Sequence, residues 1–204
     1  ISNNARLMEY TFRTLKKTGV PFIFVSSQMA GMSFSAYGAL KTVGEHYTHS
    51  LGGIVVKLWN VYGVESDLEK SHVITDFLHK ANDSKCIDMF TDGTESRQFL
   101  HAEDCSRCLL TLADQYETIP RDRELHIASG QWHTILDVAN IVSGLFPGTR
   151  IEPATAKDEV QKDTRIDPEP FIKKYWEPQI GLDDGIARVA NEMGLIDQGL
   201  RPST

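Results

Sequence analysis

The stretches PFIFVSS at residues 21–27 and SAYGALK at residues 35–41 decide the fold of this chain. The first begins with an apolar run, which is typical of a strand in a parallel sheet that is covered on both faces. The second opens a run of apolar side chains at helical spacing that continues to about Ser50. A buried strand therefore carries Ser26 and Ser27 to its carboxyl end, and a helix follows it.

Tyr37 and Lys41 lie four residues apart, which places both side chains on one face of the predicted helix. A phenol is a weak base at neutral pH, and a nearby ammonium group favours its phenolate form. We expect Ser27 to hold a substrate hydroxyl close to this phenolate. The set predicts removal of a proton from a carbinol while a hydride leaves the carbon, or the reverse. The alternative is an accidental surface pair, since this spacing is common on helices.

Helical and extended patterns alternate along the chain. We expect helices at residues 5–17, 36–50, 73–81, 103–112, 135–145 and 182–193. We expect further strands at residues 54–59, 87–91, 125–128 and 150–152. This rhythm predicts an α/β doubly wound sheet, in which ligands bind outside the carboxyl ends of the strands. Ser27 and Asn60 both fall at such ends.

The composition limits the possible partners. With 204 residues, 41% hydrophobic and 24% charged, the chain has the composition of an ordinary soluble globular protein of one or two domains. Its net charge of -7 argues against nucleic acid or an anionic membrane as the main partner, because phosphate groups bind clustered Lys and Arg. No apolar run approaches the ~18 residues of a membrane span. A local basic site for one nucleotide is compatible with this charge.

The cysteines indicate a compartment rather than a metal site. Three cysteines are an odd number for a disulfide framework and fit a reducing environment, so we expect a cytoplasmic protein. Cys105 and Cys108 form a Cys-x-x-Cys pair, which is also found in zinc and redox sites. Zinc would need a second ligand pair that Cys86 alone does not supply, so we expect packing residues and no metal.

Four further motifs identify a resemblance to the extended short-chain dehydrogenase/reductase family, whose members include nucleotide-sugar epimerases and dehydratases. LWNVYG at 58–63 resembles the family's Asn-Val-Tyr-Gly stretch, and RQFLHAED at 97–104 resembles its Arg-Asp-Phe-x-His-x-x-Asp. YWEP at 175–178 and LDDGI at 182–186 resemble its C-terminal Gly-Trp-x-Pro and Leu-x-x-Gly-Ile. The motifs occur in the family's order over nearly the whole chain.

The resemblance implies the C-terminal part of a doubly wound Rossmann-like parallel sheet plus a small α/β substrate lobe. Residues 1–64 would be the remaining part of the NAD-binding domain with the catalytic residues. Residues 65–204 would mostly form the substrate-binding lobe, with 97–128 returning to the Rossmann sheet. The chain begins at Ile1 and has no Gly-x-x-Gly-x-x-Gly turn. We therefore expect that an N-terminal segment of roughly a hundred residues is missing and that the isolated chain has little catalytic activity.

The resemblance also implies roles for individual residues. Tyr37 would be the acid/base, Lys41 would hold the nicotinamide ribose, and Ser27 would position the substrate hydroxyl, with Ser26 as the less favoured partner beside the cofactor. Asn4 and Trp59 would lie near the cofactor. The alternatives are a helix N-cap for the asparagine and core packing for the tryptophan.

Two residues are candidates for binding the substrate. Asn60 matches a substrate-contacting amide, and Arg97 matches an arginine that binds the nucleotide diphosphate, a role that suits a planar guanidinium. The alternative for the arginine is a surface salt bridge. A second arginine expected at 150–165 has no clear match, and the candidates there are Lys157, Lys162 and Arg165.

These roles predict an NAD-dependent nucleotide-sugar epimerase that acts by transient oxidation of a sugar hydroxyl, with NADP as the alternative cofactor. Dehydratases of the family carry Asp-Glu after the serine, whereas Gln28 and Met29 stand here, which disfavours elimination. The alternatives are an NAD(P)-dependent reductase or dehydratase of the same family, or a non-catalytic binding or dimerisation fragment. The helix that bears Tyr37 lies near subunit contacts in the family, so we also expect a homodimer.

Overall fold

The computed structural model describes residues 2–31, 35–67, 71–158 and 167–196. The chain divides into two compact units. Unit 1 comprises Ile1–Trp59, Cys105–Ala128 and Pro168–Glu177, and unit 2 comprises Asn60–Asp104, Ser129–Asp167 and Pro178–Thr204. The sequence analysis placed the first boundary after residue 64 and began the return to the sheet at residue 97.

The elements are numbered in chain order. The helices are α1 (Ser2–Thr18), α2 (Ala36–Ser50), α3 (Val73–Asp83), α4 (Ala102–Asp114), α5 (Ile135–Leu145) and α6 (Leu182–Glu192). The strands are β1 (Ile23–Ser27), β2 (Ile54–Leu58), β3 (Asn60–Tyr62), β4 (Cys86–Asp88), β5 (Ser96–Arg97), β6 (Phe99–His101), β7 (Leu125–Ile127), β8 (His133–Thr134) and β9 (Arg150–Glu152). In the described part of the chain, no helix is both long and apolar enough to cross a membrane.

Unit 1 is built on a parallel three-stranded sheet in the order β1-β2-β7. Ser27 at the end of β1 lies in register with Leu58 at the end of β2, so both carboxyl ends reach the same edge. Helices α1 and α2 pack against each other, and α2 packs against β1 and β2. This is the parallel α/β arrangement that the alternating pattern predicts, and it brings Ser27 to the ligand-binding edge of a doubly wound sheet.

A glycine lets α2 lie close to the sheet, because a Cβ atom on Gly44 would lie 2.2 Å from the ring of Phe24 in β1. Gly53, which precedes β2, is packed tightly as well, since a Cβ atom there would lie 2.6 Å from the ring of Phe22. Ser35 begins the helix, because its hydroxyl accepts a hydrogen bond from Gly38 N, one of the amides that a helix start leaves unpaired. The start of α2, which carries Tyr37, is thus fixed by its own sequence.

The expected burial of the first strand on both faces is wrong. Within β1 only Ser26 is buried, and Ile23, Phe24 and Val25 are half-buried. The reason is that Ile23 and Phe24 line a cavity, so this face of β1 is not fully covered. In addition, β1 pairs with β2 on one side, and no strand of the described residues pairs with its other side. An edge strand of this kind leaves backbone groups accessible.

Unit 2 has its own apolar core between α3, α5 and α6. Leu78, Val138 and Ile186 are fully buried within it. Short strand pairs surround this core: β3 with β6 and β4 with β9 are parallel, and β5 with β8 is antiparallel. The predicted strand at 87–91 is shorter than expected, since β4 ends at Asp88 before the turn at Gly93, which has φ of 76°.

Hydrogen bonds fix the helix starts of unit 2. Thr134 and Asp137 form the capping box at the start of α5, where each side chain bonds the other residue's backbone N–H. The buried carboxylate of Asp104 accepts hydrogen bonds from Gln179 N at 3.1 Å and Ile180 N at 2.8 Å. These two bonds link the RQFLHAED stretch at 97–104 to the segment that precedes α6.

Candidate active site

Ser27 stands at the carboxyl end of the edge strand of unit 1. Its hydroxyl accepts a hydrogen bond from Met29 N at 3.2 Å, which closes a local turn of the backbone after the strand. Because the hydroxyl is the acceptor in that bond, its own proton is left to donate to another group, and the side chain is half-buried. The loop after it includes residues 32–34, which lie outside the described residues.

Tyr37 and Lys41 meet on one face of α2, as their spacing predicts. The Lys41 ammonium group lies 5.5 Å from the centre of the Tyr37 ring. It also donates a 2.7 Å hydrogen bond to the carbonyl oxygen of Val25 in β1. The Tyr37 side chain is 51% exposed, so its phenol is accessible to a ligand. An ammonium has three N–H donors, and the bond to Val25 uses one of them.

A cavity of about 520 Å³ opens in unit 1 beside these two residues. Tyr37, Lys41 and Asn4 all line it, and the rest of its wall is mostly apolar, including Phe22 and Phe24. The structure thus brings together three of the predicted site residues. The cavity wall thus combines a phenol, an ammonium and an amide as hydrogen-bonding groups with mostly apolar side chains, which is the usual composition of a small-molecule site.

Ser26 does not share this environment. Its side chain is 2% exposed, and its hydroxyl donates a 2.5 Å hydrogen bond to Glu45 Oε1. Sequence analysis missed Glu45, although it lies four residues after Lys41 and continues the helix face of Tyr37 and Lys41. The four-residue spacing of Tyr37, Lys41 and Glu45 was the feature of the sequence from which a role for this carboxylate could have been predicted.

Trp59 follows the middle strand of the same sheet. Its indole N–H donates a 3.1 Å hydrogen bond to Nδ1 of His126, and the two rings lie 6.0 Å apart at 62°. Its backbone N–H donates to Ile127 O at 3.2 Å. The indole is therefore held at the carboxyl edge of the sheet by a specific polar bond in addition to packing.

The two predicted substrate residues lie in unit 2. Asn60 begins β3, and its Nδ2 is buried with no hydrogen-bond partner in the described structure. Arg97 in β5 donates to Ser96 O at 2.7 Å and to Asp158 Oδ2 at 2.5 Å. An unpaired buried amide is costly, which favours a ligand contact for Asn60. The Arg97 guanidinium is bound to a carboxylate where the sequence analysis proposed a diphosphate.

The candidates for a second basic residue divide in two. Lys157 lies 2.8 Å from Asp92 in an exposed ion pair, and its hydrogen bond lowers the pKa of Asp92 to about 2. Lys162 and Arg165 lie outside the described residues. Cys105 and Cys108 are buried and are not joined in a disulfide, and burial raises the pKa of the Cys105 thiol, which is the behaviour of an inert packing residue.

The sequence matches one protein-family model, described as the NAD dependent epimerase/dehydratase family, over residues 1–128. GDP-L-fucose synthase of Sinorhizobium fredii is 29% identical over 138 residues, which are 63% of this chain and 43% of that protein. dTDP-L-rhamnose 4-epimerase of Burkholderia thailandensis is 28% identical over 166 residues, which are 76% of this chain and 45% of that protein. The chain thus spans about half the length of the curated relatives it matches.

Solved structures share the fold. The structure of UDP-glucose 4-epimerase from Thermotoga maritima with UDP-glucose superimposes with a TM-score of 0.76 at 20% identity. The superposition covers 92% of this chain and 68% of that one. At this identity the similarity establishes the α/β architecture, and the chemistry has to be argued from the residues themselves.

Proposed function

The chain belongs to the NAD-dependent epimerase/dehydratase family, and on that premise we propose that it carries the catalytic part of a nucleotide-sugar epimerase. Tyr37 acts as the acid/base, Lys41 as the cation beside it, and Ser27 as the hydroxyl that orients the substrate. The observation that carries this proposal is the 5.5 Å approach of Lys41 to the Tyr37 ring beside a cavity that both residues line.

The residues of the site have distinct tasks. Tyr37 takes the proton from a sugar hydroxyl and later returns one, and the adjacent positive charge of Lys41 stabilises its phenolate. The bond from Lys41 to Val25 fixes the ammonium against β1, which leaves its other N–H groups for ribose hydroxyls. Ser27 donates to the sugar oxygen that is deprotonated, which holds it within reach of the phenolate.

NAD is the cofactor of the family, and when bound it would supply the acceptor and donor of hydride that an epimerisation at a sugar carbon needs. Asn4, Tyr37 and Lys41 would hold its nicotinamide half at the cavity in unit 1. Trp59 would form an aromatic wall at the carboxyl edge of the sheet. NADP is the alternative cofactor.

The proposed substrate is a nucleoside diphosphate sugar. The names of the two relatives refer to molecules of this kind, and the solved UDP-glucose 4-epimerase structure has UDP-glucose bound. Asn60 would donate its buried Nδ2 to the sugar, and Arg97 would bind the diphosphate. A planar guanidinium donates two parallel hydrogen bonds to phosphate oxygens, so Asp158 would yield its place on Arg97 when a nucleotide binds. A homodimer in the cytoplasm is proposed with this function.

The test is an assay of the full-length protein with UDP-, dTDP- and GDP-sugars and a catalytic amount of NAD. The proposed function predicts sugar epimerisation without net formation of NADH. Stoichiometric consumption of NADH or NADPH would instead assign a reductase, and loss of water from the sugar would assign a dehydratase. No turnover of any nucleotide sugar would favour a binding or dimerisation module.

A further inference from the structure

A chain of polar side chains crosses the sheet of unit 1. Ser26, Lys57 and His126 lie directly opposite one another on β1, β2 and β7, so their side chains project from the same face. Two carboxylates join them. Glu45 lies on α2, and Glu124 immediately precedes β7. We name this set the cross-sheet network; its members are Ser26, Glu45, Lys57, Glu124, His126 and Trp59.

Lys57 is the centre of the cross-sheet network. Its ammonium lies 2.6 Å from Glu124 Oε1 and 3.7 Å from Glu45 Oε2. The side chains of Lys57 and Glu45 are only 12% and 14% exposed. Charges this far from water are costly unless they are paired, and an apolar residue in the middle of a sheet is often at least as stabilising. The presence of the half-buried pair of Lys57 and Glu45 beside the proposed site therefore favours a role for this pair beyond stabilising the fold.

One arm of the network leads to the helix that carries the proposed acid/base. Glu45 accepts the 2.5 Å hydrogen bond from Ser26 and attracts Lys57. Since Tyr37, Lys41 and Glu45 follow one another at four-residue intervals, they occupy one stripe of α2. A bond at Glu45 therefore fixes the helix along its axis relative to β1, in the same way that the bond from Lys41 to Val25 does.

The other arm leads to Trp59. An indole N–H only donates, so His126 Nδ1 must accept, and the proton of the neutral imidazole sits on Nε2. Nε2 lies 3.0 Å from Glu124 Oε2 and donates to it. Glu124 accepts from Lys57 as well, and this bond lowers its pKa, so the carboxylate stays charged. Each bond thus sets the direction of the next, and the indole orientation depends on Glu124.

We propose that the cross-sheet network is a positioning device that fixes both the Tyr37 helix and the Trp59 indole for the reaction proposed above. Apart from Trp59, the members of the network touch neither substrate nor cofactor. It acts by holding two separate catalytic elements to one lysine at the centre of the sheet. This inference rests on the proposed function for its purpose, but its bonds are testable without any turnover.

Glu124→Gln is the decisive variant, because this side chain is 58% exposed and its loss should not unfold the protein. Lys57 and His126 bond different oxygens of Glu124, and a carboxamide replaces one of them by an NH2 group, so one of the two donors would face another donor. In nitrogen-15 NMR spectra of the full-length protein, we expect the Trp59 indole N–H signal to move and His126 to lose its single Nε2–H tautomer. Glu117→Gln removes the same charge from an exposed residue of unit 1 and should move neither signal.

Two lysine variants extend the test. Lys57→Arg keeps the charge, so the Trp59 indole signal should stay at its wild-type position. Lys57→Met removes the charge and should shift that signal. The indole signal of Trp132, which donates to Asp167 in unit 2, reports whether the variants remain folded. Should Lys57→Met fail to fold, Glu124→Gln decides alone. Signals of Trp59 and His126 that stay at their wild-type positions in Glu124→Gln would overturn the proposal.

Kinetics separate the network from the proposed function. A displacement on the order of 1 Å costs up to ~100-fold in rate, so Glu124→Gln should lower kcat about tenfold with KM within about twofold. An unchanged kcat beside shifted NMR signals would also overturn the positioning role. A wild-type protein without nucleotide-sugar turnover would contradict the proposed function, and the NMR experiment would still decide whether Glu124 governs the Trp59 indole.

Discussion

Gly185 approaches Tyr62 so closely that a Cβ atom on the glycine would lie 1.9 Å from the tyrosine hydroxyl. Tyr62 is 7% exposed, and burial raises its pKa, so its hydroxyl remains a neutral donor toward Leu182 O. The contact joins the Asn-Val-Tyr-Gly motif to the Leu-x-x-Gly-Ile motif inside unit 2. It gives a packing reason for two motifs that lie far apart in the sequence.

Gly185→Ala should therefore destabilise the protein by about 1–3 kcal/mol, the usual cost of adding atoms to a packed core. Gly144→Ala is the matched control, since a Cβ atom at Gly144 meets nothing within 4 Å in helix α5. That variant should stabilise by about 0.4–1 kcal/mol through the unfolded state. Urea unfolding of both variants measures the difference. Equal stabilities would contradict the close contact at Gly185.

Arg97→Lys should weaken nucleotide binding. Lysine keeps the positive charge near Asp158 but lacks the planar fork that grips two phosphate oxygens. We expect KM for the nucleotide sugar to rise about tenfold, which corresponds to about 1.4 kcal/mol, with little change in kcat. The control is Arg123→Lys, which alters an exposed pair with Glu169 in unit 1. A KM that is equally raised in both variants would argue against a diphosphate on Arg97.

The stability of the protein should depend on Glu124 in a pH-dependent way. The Lys57 hydrogen bond lowers the pKa of this carboxyl from its ordinary value of 4.5. A lowered pKa in the folded state contributes stability above pH 4.5, and this contribution is lost as the pH falls through the folded-state value.

Glu124→Gln should accordingly be less stable than wild type at pH 7, by less than about 1 kcal/mol because solvent screens an exposed pair. The gap should narrow as the pH falls below 4.5. Urea unfolding at pH 7 and in acid measures it. A gap that widens in acid would show that the carboxylate is not stabilised by Lys57.

Local sequence patterns were sufficient to predict most elements of the fold. The helix predicted at 135–145 has the observed bounds of α5, which the Thr134–Asp137 capping box begins. The run predicted at 54–59 corresponds to β2, the middle strand, whose residues 54–56 are buried. The burial of β1 was overestimated because an apolar run shows only that a strand is suited to burial. The elements that pack on the two faces of the strand determine how much of it is buried.

The candidate site was predictable only in part, for a similar reason. Tyr37 and Lys41 come together because they share a helix turn, which spacing alone encodes. The bond between Lys57 and Glu124 joins residues 67 positions apart and depends on the strand register. Within the local sequence, this ion pair is indicated only by Lys57 itself, a charged residue in the otherwise apolar run of β2. Pairing between distant strands is a property of the folded sheet.

The central claim is that Tyr37 is the acid/base of the reaction. Tyr37→Phe removes one oxygen atom from a side chain that is 51% exposed, so the fold should be unaffected. Tyr47→Phe is the matched control, because Tyr47 lies on the same helix, is also 51% exposed and keeps its ring stacked on Phe12.

The most direct measurement is kcat for nucleotide-sugar turnover by the full-length protein and these two variants. The account predicts that Tyr37→Phe lowers kcat by about 100-fold or more, the range of general acid–base catalysis, while Tyr47→Phe stays close to wild type. A Tyr37→Phe protein that retains wild-type kcat would contradict the assignment and favour a non-catalytic role for this face of α2.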